Sequence, residues 1–505
     1  MQQNRLRAPA CSALVLSALG LAGLVAACGG GGGSGSASPA ASPTPRPSPV
    51  LPITSPGPAR STAEIILRDG DQIAGDLPVA NIEDAALGAD DATAMIVTLA
   101  DSGNRSAIVT RSADGGYTVA FDPRNGDASV DATSLTRLRM APTGELVFQS
   151  GNGLDTDRLY RFANGTLQTL AGAAPGPVFP DFRILGDVRI GSGGLVAFVA
   201  GGGNCQVVVS GDAQRVTCTN ALYVANDAGV TRLDDTKLDL TQQRASAVRV
   251  ELDPTDGAWF SLPRRGSAPM LLRFAAGEAT TLLTGDSVLA GVGTLNSVEA
   301  VAVNTTGQAL LEGGLQTFTG DRRPQVLGVM TGESFAAIAQ EGTALTGVNI
   351  ATLRGIGLDG AGRALFEAHL GDPDVPATQV NSLWWGDANG LVQIAREGVP
   401  LEGEQDVVLQ LLGSRVNEAG DVAFLTALGT NAGGVAQVQE TRAMVRRSDG
   451  RLVTIASTRH TAQFGELSSM QIVGYDEAGT LLLIGTRGRS SDRVLLLGRS
   501  DQPTD

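Results

Sequence analysis

The sequence predicts an all-β fold, a β-propeller of eight four-stranded blades, with seven blades as the alternative count. Three observations predict it. A turn-and-strand unit recurs eight times, with about 50 to 63 residues between its anchoring glycines, the range of repeated four-stranded units. Asn-Gly and Asp-Gly turns between apolar runs indicate hairpins inside each unit. The two chain ends read as complementary parts of one unit, which favours a closed ring.

The clearest copy of the unit is the segment 416–424, Val-Asn-Glu-Ala-Gly-Asp-Val-Ala-Phe. The Asn417 side chain can bond its own backbone two residues on, and Gly420 supplies the left-handed φ of a tight turn. Ala423 and Phe424 belong to an apolar run that fits a strand buried on both faces. The first copy, at residues 88–97, is the weakest. The corresponding positions in the other copies are Gly144 and Phe148, Gly194 and Phe198, Gly257, Gly307, Gly362 and Gly479.

The two chain ends predict how the ring closes. Residues 63–67 form an apolar strand that leads into a glycine-bracketed loop, as at the end of a unit. Residues 493–497 read as a third strand that lacks its fourth. We therefore expect the first strand to complete the last blade, within a repeat domain of residues 63–500.

The amino-terminal segment has the pattern of an export signal. Arg5 and Arg7 precede an uncharged, apolar stretch, so residues 1–27 are predicted to be a secretion signal. Residues 28–62 begin with a Gly/Ser tract and become Pro-rich, which predicts a flexible tether. The alternative is a transmembrane anchor, because the apolar run is nearly long enough to span a bilayer.

The residues Val25-Ala26-Ala27-Cys28 resemble the lipobox of bacterial lipoproteins. The resemblance implies cleavage between Ala27 and Cys28, a diacylglycerol thioether on Cys28 and acylation of the new amino terminus. No aspartate follows Cys28, which by resemblance to Gram-negative lipoproteins implies the outer membrane. We therefore expect a cell-envelope protein whose membrane partner is bound through the lipid on Cys28.

The charge pattern disfavours a nucleic-acid partner. The chain has a net charge of −15, and Lys237 is its only lysine. Binding to a phosphate backbone needs concentrated positive charge, and the sequence contains no basic stripe.

Two further cysteines predict a disulfide. Cys205 and Cys218 lie on opposite arms of a predicted β-hairpin, at symmetrical distances from its turn. In an exported protein we expect these two thiols to be oxidised to a cross-strand disulfide. A metal pair is the alternative, but two thiols without further ligands make a poor zinc site.

Few residues suggest catalysis. Gly285-Asp286-Ser287 resembles the nucleophile block of a lipase-type hydrolase, but that block belongs to an α/β fold. His369 and His460 are the only histidines, and a triad would need both to converge from different units. We assign no catalytic residue, no metal site and no cofactor.

Two other segments have a functional and a structural interpretation. The acids of segments 155–157 and 372–374 could contribute to a Ca²⁺ site, although neither segment supplies a full ligand loop, and solvated turn acids are the alternative. Trp384 and Trp385 could stack against a sugar. Because side chains alternate along a strand, we expect at least one of them to pack between blades instead.

The repeat resembles that of bacterial tandem-repeat proteins defined by an Asn-x-x-Gly-x-x-Ala-Phe motif. Asn417, Gly420, Ala423 and Phe424 match the motif fully, and other copies match in part. The resemblance implies an exported or anchored β-propeller-like protein of unassigned activity, and it supplies no catalytic residue.

Three functions are compatible with these features. The leading hypothesis is a lipid-anchored binding or scaffold module without chemistry of its own, whose protein or glycan partner the sequence does not specify. The first alternative is a propeller enzyme that acts on glycans or lactones, marked by charged residues clustered at one mouth of the channel. The repeat positions are mostly Gly, Ala, Val and Leu, which disfavours that cluster. The second alternative, by analogy of fold and anchor, is an outer-membrane assembly factor.

Overall fold

The computed structural model describes residues 62–73, 77–100, 105–122, 135–150, 158–171, 182–210, 213–233, 248–253, 257–262, 269–317, 323–401, 403–432, 435–488 and 492–500. Within these ranges, only the backbone is described for residues 77, 171, 182–185, 201–210, 213–220, 377, 432 and 461–462. The predicted signal, Ala27, Cys28 and nearly all of the predicted tether lie outside the described residues, so they stay predictions.

The described strands form eight antiparallel sheets, arranged as the blades of a propeller. This confirms the predicted fold class and the count of eight blades. Three blades differ from the prediction by carrying a fifth, two-residue strand that pairs with the beginning of the first main strand. Within the described ranges, helix is confined to the four residues Thr461–Phe464 and a 3-10 turn at Pro376–Thr378.

The strands of the first four blades are as follows. Blade 1 contains β2 (Gln72–Ile73), β3 (Leu77–Leu87), β4 (Thr93–Leu99), β5 (Ser106–Arg111) and β6 (Tyr117–Phe121). Blade 2 contains β7 (Leu135–Met140), β8 (Leu146–Ser150), β9 (Arg158–Ala163) and β10 (Thr166–Ala171). Blade 3 contains β11 (Phe182–Ile190), β12 (Val196–Ser210), β13 (Ala213–Asn226) and β14 (Gly229–Arg232). Blade 4 contains β15 (Arg249–Asp253), β16 (Gly257–Leu262), β17 (Met270–Ala275) and β18 (Glu278–Thr284).

The remaining blades complete the ring. Blade 5 contains β19 (Val288–Leu289), β20 (Gly293–Val303), β21 (Ala309–Leu315), β22 (Gln325–Thr331) and β23 (Ser334–Gln340). Blade 6 contains β24 (Ala344–Leu345), β25 (Val348–Leu358), β26 (Ala364–Leu370), β27 (Val380–Asp387) and β28 (Gly390–Arg396). Blade 7 contains β29 (Val407–Val416), β30 (Val422–Ala432), β31 (Val435–Arg446) and β32 (Leu452–Ser457). Blade 8 contains β33 (Leu467–Tyr475), β34 (Thr480–Arg487), β35 (Asp492–Arg499) and, from the other end of the chain, β1 (Ala63–Arg68).

Strand β1 closes the ring as the outer strand of blade 8. It runs antiparallel to β35, with Ala63 opposite Gly498 and Leu67 opposite Leu495. This pairing confirms the predicted closure. Because β1 precedes blade 1 directly in the chain, it joins the last blade to the first covalently as well as by hydrogen bonds.

The apolar core is divided among the seams between neighbouring blades. Eight buried clusters each combine residues of two adjacent blades. The second of the four main strands of each blade contributes to the seams on both sides of the blade, since its side chains alternate between the two faces of the sheet. The phenylalanines of the repeat, Phe148, Phe198, Phe366 and Phe424, are fully buried there.

The repeat glycines have two different roles. Those at positions 144, 194, 307, 362, 420 and 479 have φ between +74° and +88°, which only glycine adopts readily. Gly257 differs because it is the first residue of β16 rather than a turn glycine. A Cβ atom at Gly257 would lie 2.3 Å from a carboxylate oxygen of Asp253, so this glycine is required by space.

The residue that begins each turn also joins neighbouring blades. Asn417 Oδ1 accepts the backbone N–H of Asp421 at 2.9 Å, four residues on rather than the two expected from the sequence. Its Nδ2 donates to the carbonyl of Asp476 in the next blade at 3.0 Å. Asn304 makes the same inter-blade bond, donating to the carbonyl of Asp359 at 2.8 Å. One side chain therefore satisfies a turn and a seam together.

We expect Asn417→Ala to lower the free energy of unfolding by at least about 2 kcal/mol. The change leaves the buried N–H of Asp421 and the half-buried carbonyl of Asp476 without this partner, and an unsatisfied buried polar group costs about 1–3 kcal/mol. Asn417→Asp keeps the acceptor for the turn, and we expect a smaller loss. Asn389→Ala, at an exposed hairpin tip, is the control. Equal urea midpoints for Asn417→Ala and the control would contradict the inter-blade role.

Candidate functional site

The residues that suggested a hydrolase do not form a catalytic site. Ser287 Oγ accepts the backbone N–H of Thr284 at 2.9 Å, so this hydroxyl closes a turn. His369 is exposed on β26 of blade 6. His460 lies in the segment before blade 8, where its ring packs 6.5 Å from that of Phe464. The two histidines thus belong to different parts of the ring.

The described residues that suggested a Ca²⁺ site or a sugar-binding surface have other contacts in the structure. Asp372 Oδ1 accepts the backbone N–H of Asp374 at 2.9 Å, as in a turn. Segment 155–157 lies outside the described residues, and the described ranges contain no cluster of three or more metal-ligating side chains. Trp384 and Trp385 are 3% and 5% exposed and lie in different seams. The packing role is therefore confirmed for both, and the sugar-stacking interpretation is wrong.

The predicted cysteine hairpin is present in the backbone. Strands β12 and β13 pair antiparallel, with Gln206 opposite Thr217, so residues 205 and 218 lie on adjacent strands. Their side chains lie outside the described part of the chain, and the disulfide stays a prediction.

The first main strand of each blade lies at the inner edge, and these strands together surround the central channel. Each is in contact with the corresponding strand of the neighbouring blades, and β3 meets β33 where the ring closes. One position on each inner strand, which we call the channel position, is defined by the turn that follows it. The residue two positions after it begins the turn, and its backbone pairs with the backbone of the residue four positions further along the chain. The channel position is therefore equivalent in every blade. The residues at the channel position, from blade 1 to blade 8, are Ala86, Arg139, Arg189, Glu251, Ala302, Gly357, Arg415 and Gly474.

The arginines of the channel position converge from different sides of the ring. Burial lowers the pKa of Arg415, and repulsion from Arg139, Arg354 and Arg189 lowers it further. Blade 3, which carries Arg189, lies opposite blade 7, which carries Arg415. The pKa of Arg139 is likewise lowered by burial and by repulsion from Arg189. The guanidinium groups are reached by solvent yet surrounded by protein, as in a narrow channel, and arginine stays protonated there.

Carboxylates on the inner strands form ion pairs with these and other arginines. Arg189 donates to Asp187 at 2.7 Å and to Glu251 at 3.0 Å. Arg249 pairs with Glu299 at 3.0 Å. Burial is the main cause that raises the pKa of Glu251 and of Glu299.

Two channel aspartates also hold the seams together. Inner strands β3, β7, β11, β20, β25, β29 and β33 contain a β-bulge, which re-aims side chains and leaves backbone groups to be satisfied. Asp84 accepts the backbone N–H of Leu138 in the next blade at 3.1 Å, and Asp187 accepts that of Val250 at 3.3 Å. These carboxylates therefore have structural partners before any ligand is considered.

A polar cavity opens among the inner strands of blades 2 to 4. Its volume is about 200 Å³, and its charged lining is Arg137, Arg139, Asp187 and Arg249. Arg137 has a φ of +55° at the bulge of β7, and its guanidinium donates to the carbonyl of Gly186. Backbone strain of this kind needs support from its surroundings and is enriched at binding sites.

The turns narrow one mouth of the channel. Glu418, in the turn of blade 7, accepts both the backbone N–H and the hydroxyl of Thr305, in the turn of blade 5, at 2.9 Å each. The backbone N–H of Glu418 donates to Glu477, in the turn of blade 8, at 2.7 Å. Contact between blades that are not adjacent requires their turns to approach the axis closely.

The repeat positions are mostly small and apolar, as the sequence shows, and the charged residues of the channel lie at other positions. The signal was an arginine five residues before the turn glycine in three copies, at positions 139, 189 and 415. Alignment on the strand that follows the glycine places this position outside the repeat motif.

Comparison with known proteins covers part of the chain in sequence and most of it in fold. Residues 358–493 match a family described as "Family of unknown function (DUF7453)". The matched segment spans most of blades 6 to 8, including the copy of the repeat with the full Asn417 motif. No curated protein matches the chain in sequence.

Similar solved structures include the Dos1 propeller, with 9% identity, a TM-score of 0.41 and coverage of 87% of this chain and 94% of that chain. The WD40 domain of SCAP from fission yeast has 9% identity, a TM-score of 0.40 and coverage of 87% and 98%. The acylaminoacyl peptidase of Pyrococcus horikoshii has 10% identity, a TM-score of 0.40 and coverage of 80% and 57%. The chain thus spans little more than half the length of that peptidase.

Proposed function

We propose that this protein is a lipid-anchored propeller of the cell envelope that binds a ligand in its central channel and does not transform it. The observation that carries the proposal is the set of arginines at the channel position of the inner strands of blades 2, 3 and 7. A module that only binds needs charged donors held in place, and the rigid inner strands supply them.

A propeller enzyme is the second candidate, because charged residues in the channel are the feature that marks it. General acid–base catalysis needs a carboxyl group that is able to exchange a proton with the substrate. Asp84 and Asp187 instead accept backbone N–H groups of neighbouring blades. Glu251 is held by Arg189. This engagement of the acids favours binding over turnover.

Binding is tested by the thermal stability of the purified mature protein in the presence of three probes: citrate, pyrophosphate and a neutral oligosaccharide. A ligand at 100 times its Kd stabilises the folded state by about 2.7 kcal/mol, so we expect at least one probe to raise Tm. Probes that bind are then incubated with the protein and analysed by mass spectrometry. Unchanged probe supports a binding module, product supports the enzyme, and the lack of any Tm shift contradicts a channel ligand.

The anchor gives a separate prediction. Among the residues that the structure describes, no helix combines the length and apolar character needed to cross a bilayer. In a Gram-negative host, we expect Cys28→Ser to abolish incorporation of labelled palmitate and to release the protein from the membrane fraction, because the acylated thiol is lost. Cys205→Ser is the matched control and should keep the label. Equal labelling of the two variants would contradict lipidation at Cys28.

A further inference from the structure

We infer that the channel ligand is a small polyanion, with at least two phosphate or carboxylate groups, bound by Arg139, Arg189 and Arg415. The inference rests on the proposed binding function and adds the chemistry of the ligand. Guanidinium groups bind carboxylate and phosphate with paired, charge-assisted hydrogen bonds.

Positive charge exceeds negative charge at the channel position. Three arginines and one glutamate occupy the eight equivalent positions, and that glutamate is already bound to Arg189. The chain as a whole has a net charge of −15, whereas the eight channel positions together carry three positive charges and one negative charge. Like charges held close together inside a protein repel one another, and an anion placed between them removes that cost.

Two of the channel arginines have N–H donors that are available for a ligand. The hydrogen bond found for Arg139 among the described residues goes to the carbonyl of Leu138 at 2.8 Å. For Arg415 it goes to the carbonyl of Ser414 at 2.9 Å. A guanidinium group has five N–H donors, so both arginines retain donors for a ligand.

A bound ligand also needs space beside the arginines. At the channel position, the blades without a charged residue have alanine or glycine, namely Ala86, Ala302, Gly357 and Gly474. Ala86 and Ala302 pack in the seams, and a Cβ atom at Gly357 or Gly474 would lie 2.6 Å from a side chain of the next blade. The space beside the arginines is therefore the cavity of about 200 Å³ that adjoins Arg139. The bonds between Glu418 and Thr305 narrow the channel at its turn side, which favours a small molecule over a threaded polymer. Because the arginines lie on opposite sides, a ligand with several anionic groups contacts more of them than a single anion does.

The test is calorimetric titration of the purified mature protein with pyrophosphate, citrate and a neutral oligosaccharide. We expect Arg139→Gln and Arg415→Gln each to weaken binding of the preferred polyanion at least 10-fold. Arg451→Gln is the control, because Arg451 is an exposed arginine of blade 7 that pairs with Asp449. We also expect Arg415→Gln to raise Tm of the ligand-free protein, since it removes repulsion, whereas a variant that merely misfolds would have a lower Tm.

The outcomes separate the inference from the proposed function. Binding of pyrophosphate alone assigns a phosphate ligand, and binding of citrate alone assigns a polycarboxylate; both support the inference. Binding of the neutral oligosaccharide alone overturns the polyanion and leaves the binding module standing. Polyanion binding that Arg415→Gln and Arg451→Gln weaken equally overturns the channel location. Failure of every probe overturns the inference and the proposed function together.

Discussion

Leu67→Ala is expected to lower the free energy of unfolding by about 2–5 kcal/mol, the usual cost of removing a buried leucine side chain. Leu67 is 2% exposed and lies in the seam between blades 8 and 1. The backbone of β1 pairs with β35, so the change weakens the strand that joins the two ends of the ring. Urea denaturation followed by circular dichroism measures the loss.

The matched control lies on the same strand. Glu64 is 65% exposed and pairs with Arg111, and exposed ion pairs contribute little to stability. We therefore expect Glu64→Ala to leave the urea midpoint nearly unchanged. Deletion of residues 62–68 should be more severe than Leu67→Ala, because it exposes the unpaired edge of β35 and promotes aggregation. A deletion variant that unfolds like the intact protein would contradict closure by β1.

The second large effect is expected at Trp385, where alanine should cost about 3–5 kcal/mol. The ring lies under two guanidinium groups, with the Cζ atoms of Arg363 and Arg446 at 4.0 Å and 5.4 Å from its centroid. Arg446 is fully buried, and its Nε and Nη1 have no hydrogen-bond partner among the described residues. Loss of the ring therefore leaves a cavity and removes the cation–π contact of a buried charge.

A double-mutant cycle separates these two contributions. Arg446→Met replaces a poorly bonded buried charge with an apolar side chain of similar length, and we expect it to be neutral or stabilising. In that background Trp385→Ala should cost about 0.5–2 kcal/mol less than in the parent protein. Trp384→Ala is the control, since this ring is equally buried and its Nε1 donates to Ser382. If Arg446→Met changes the cost of both tryptophan variants equally, the cation–π explanation is wrong.

The sequence predicted the ring better than it predicted the channel. Turn glycines and the apolar residues after them repeat because every blade needs the same hairpin, and that regularity is visible in one sequence. Closure was predictable because residues 63–67 and 493–497 are apolar strands without a partner in their own halves of the chain. A channel residue such as Arg415 varies from blade to blade, so periodicity does not reveal it.

Some local errors have simple physical causes. The inter-blade bond of Asn417 depends on the carbonyl of Asp476, 59 residues away, which spacing alone does not place beside it. Gly257 was aligned with the turn glycines, but it lies four residues after Asp253 rather than three, and it is needed for its proximity to Asp253. Burial of both tryptophans followed from the two-residue alternation, once each face of the blade was seen to be covered by a neighbour.

The position of β1 has a consequence for biogenesis. Because β1 is the first and β35 the last of the described strands to be synthesised, and the two pair, blade 8 remains incomplete until β35 has been made. During that time one edge of β1 and one edge of β35 have no partner, and such edges invite pairing with other chains. The nascent protein should therefore depend on chaperones until β35 has emerged from the ribosome and paired with β1.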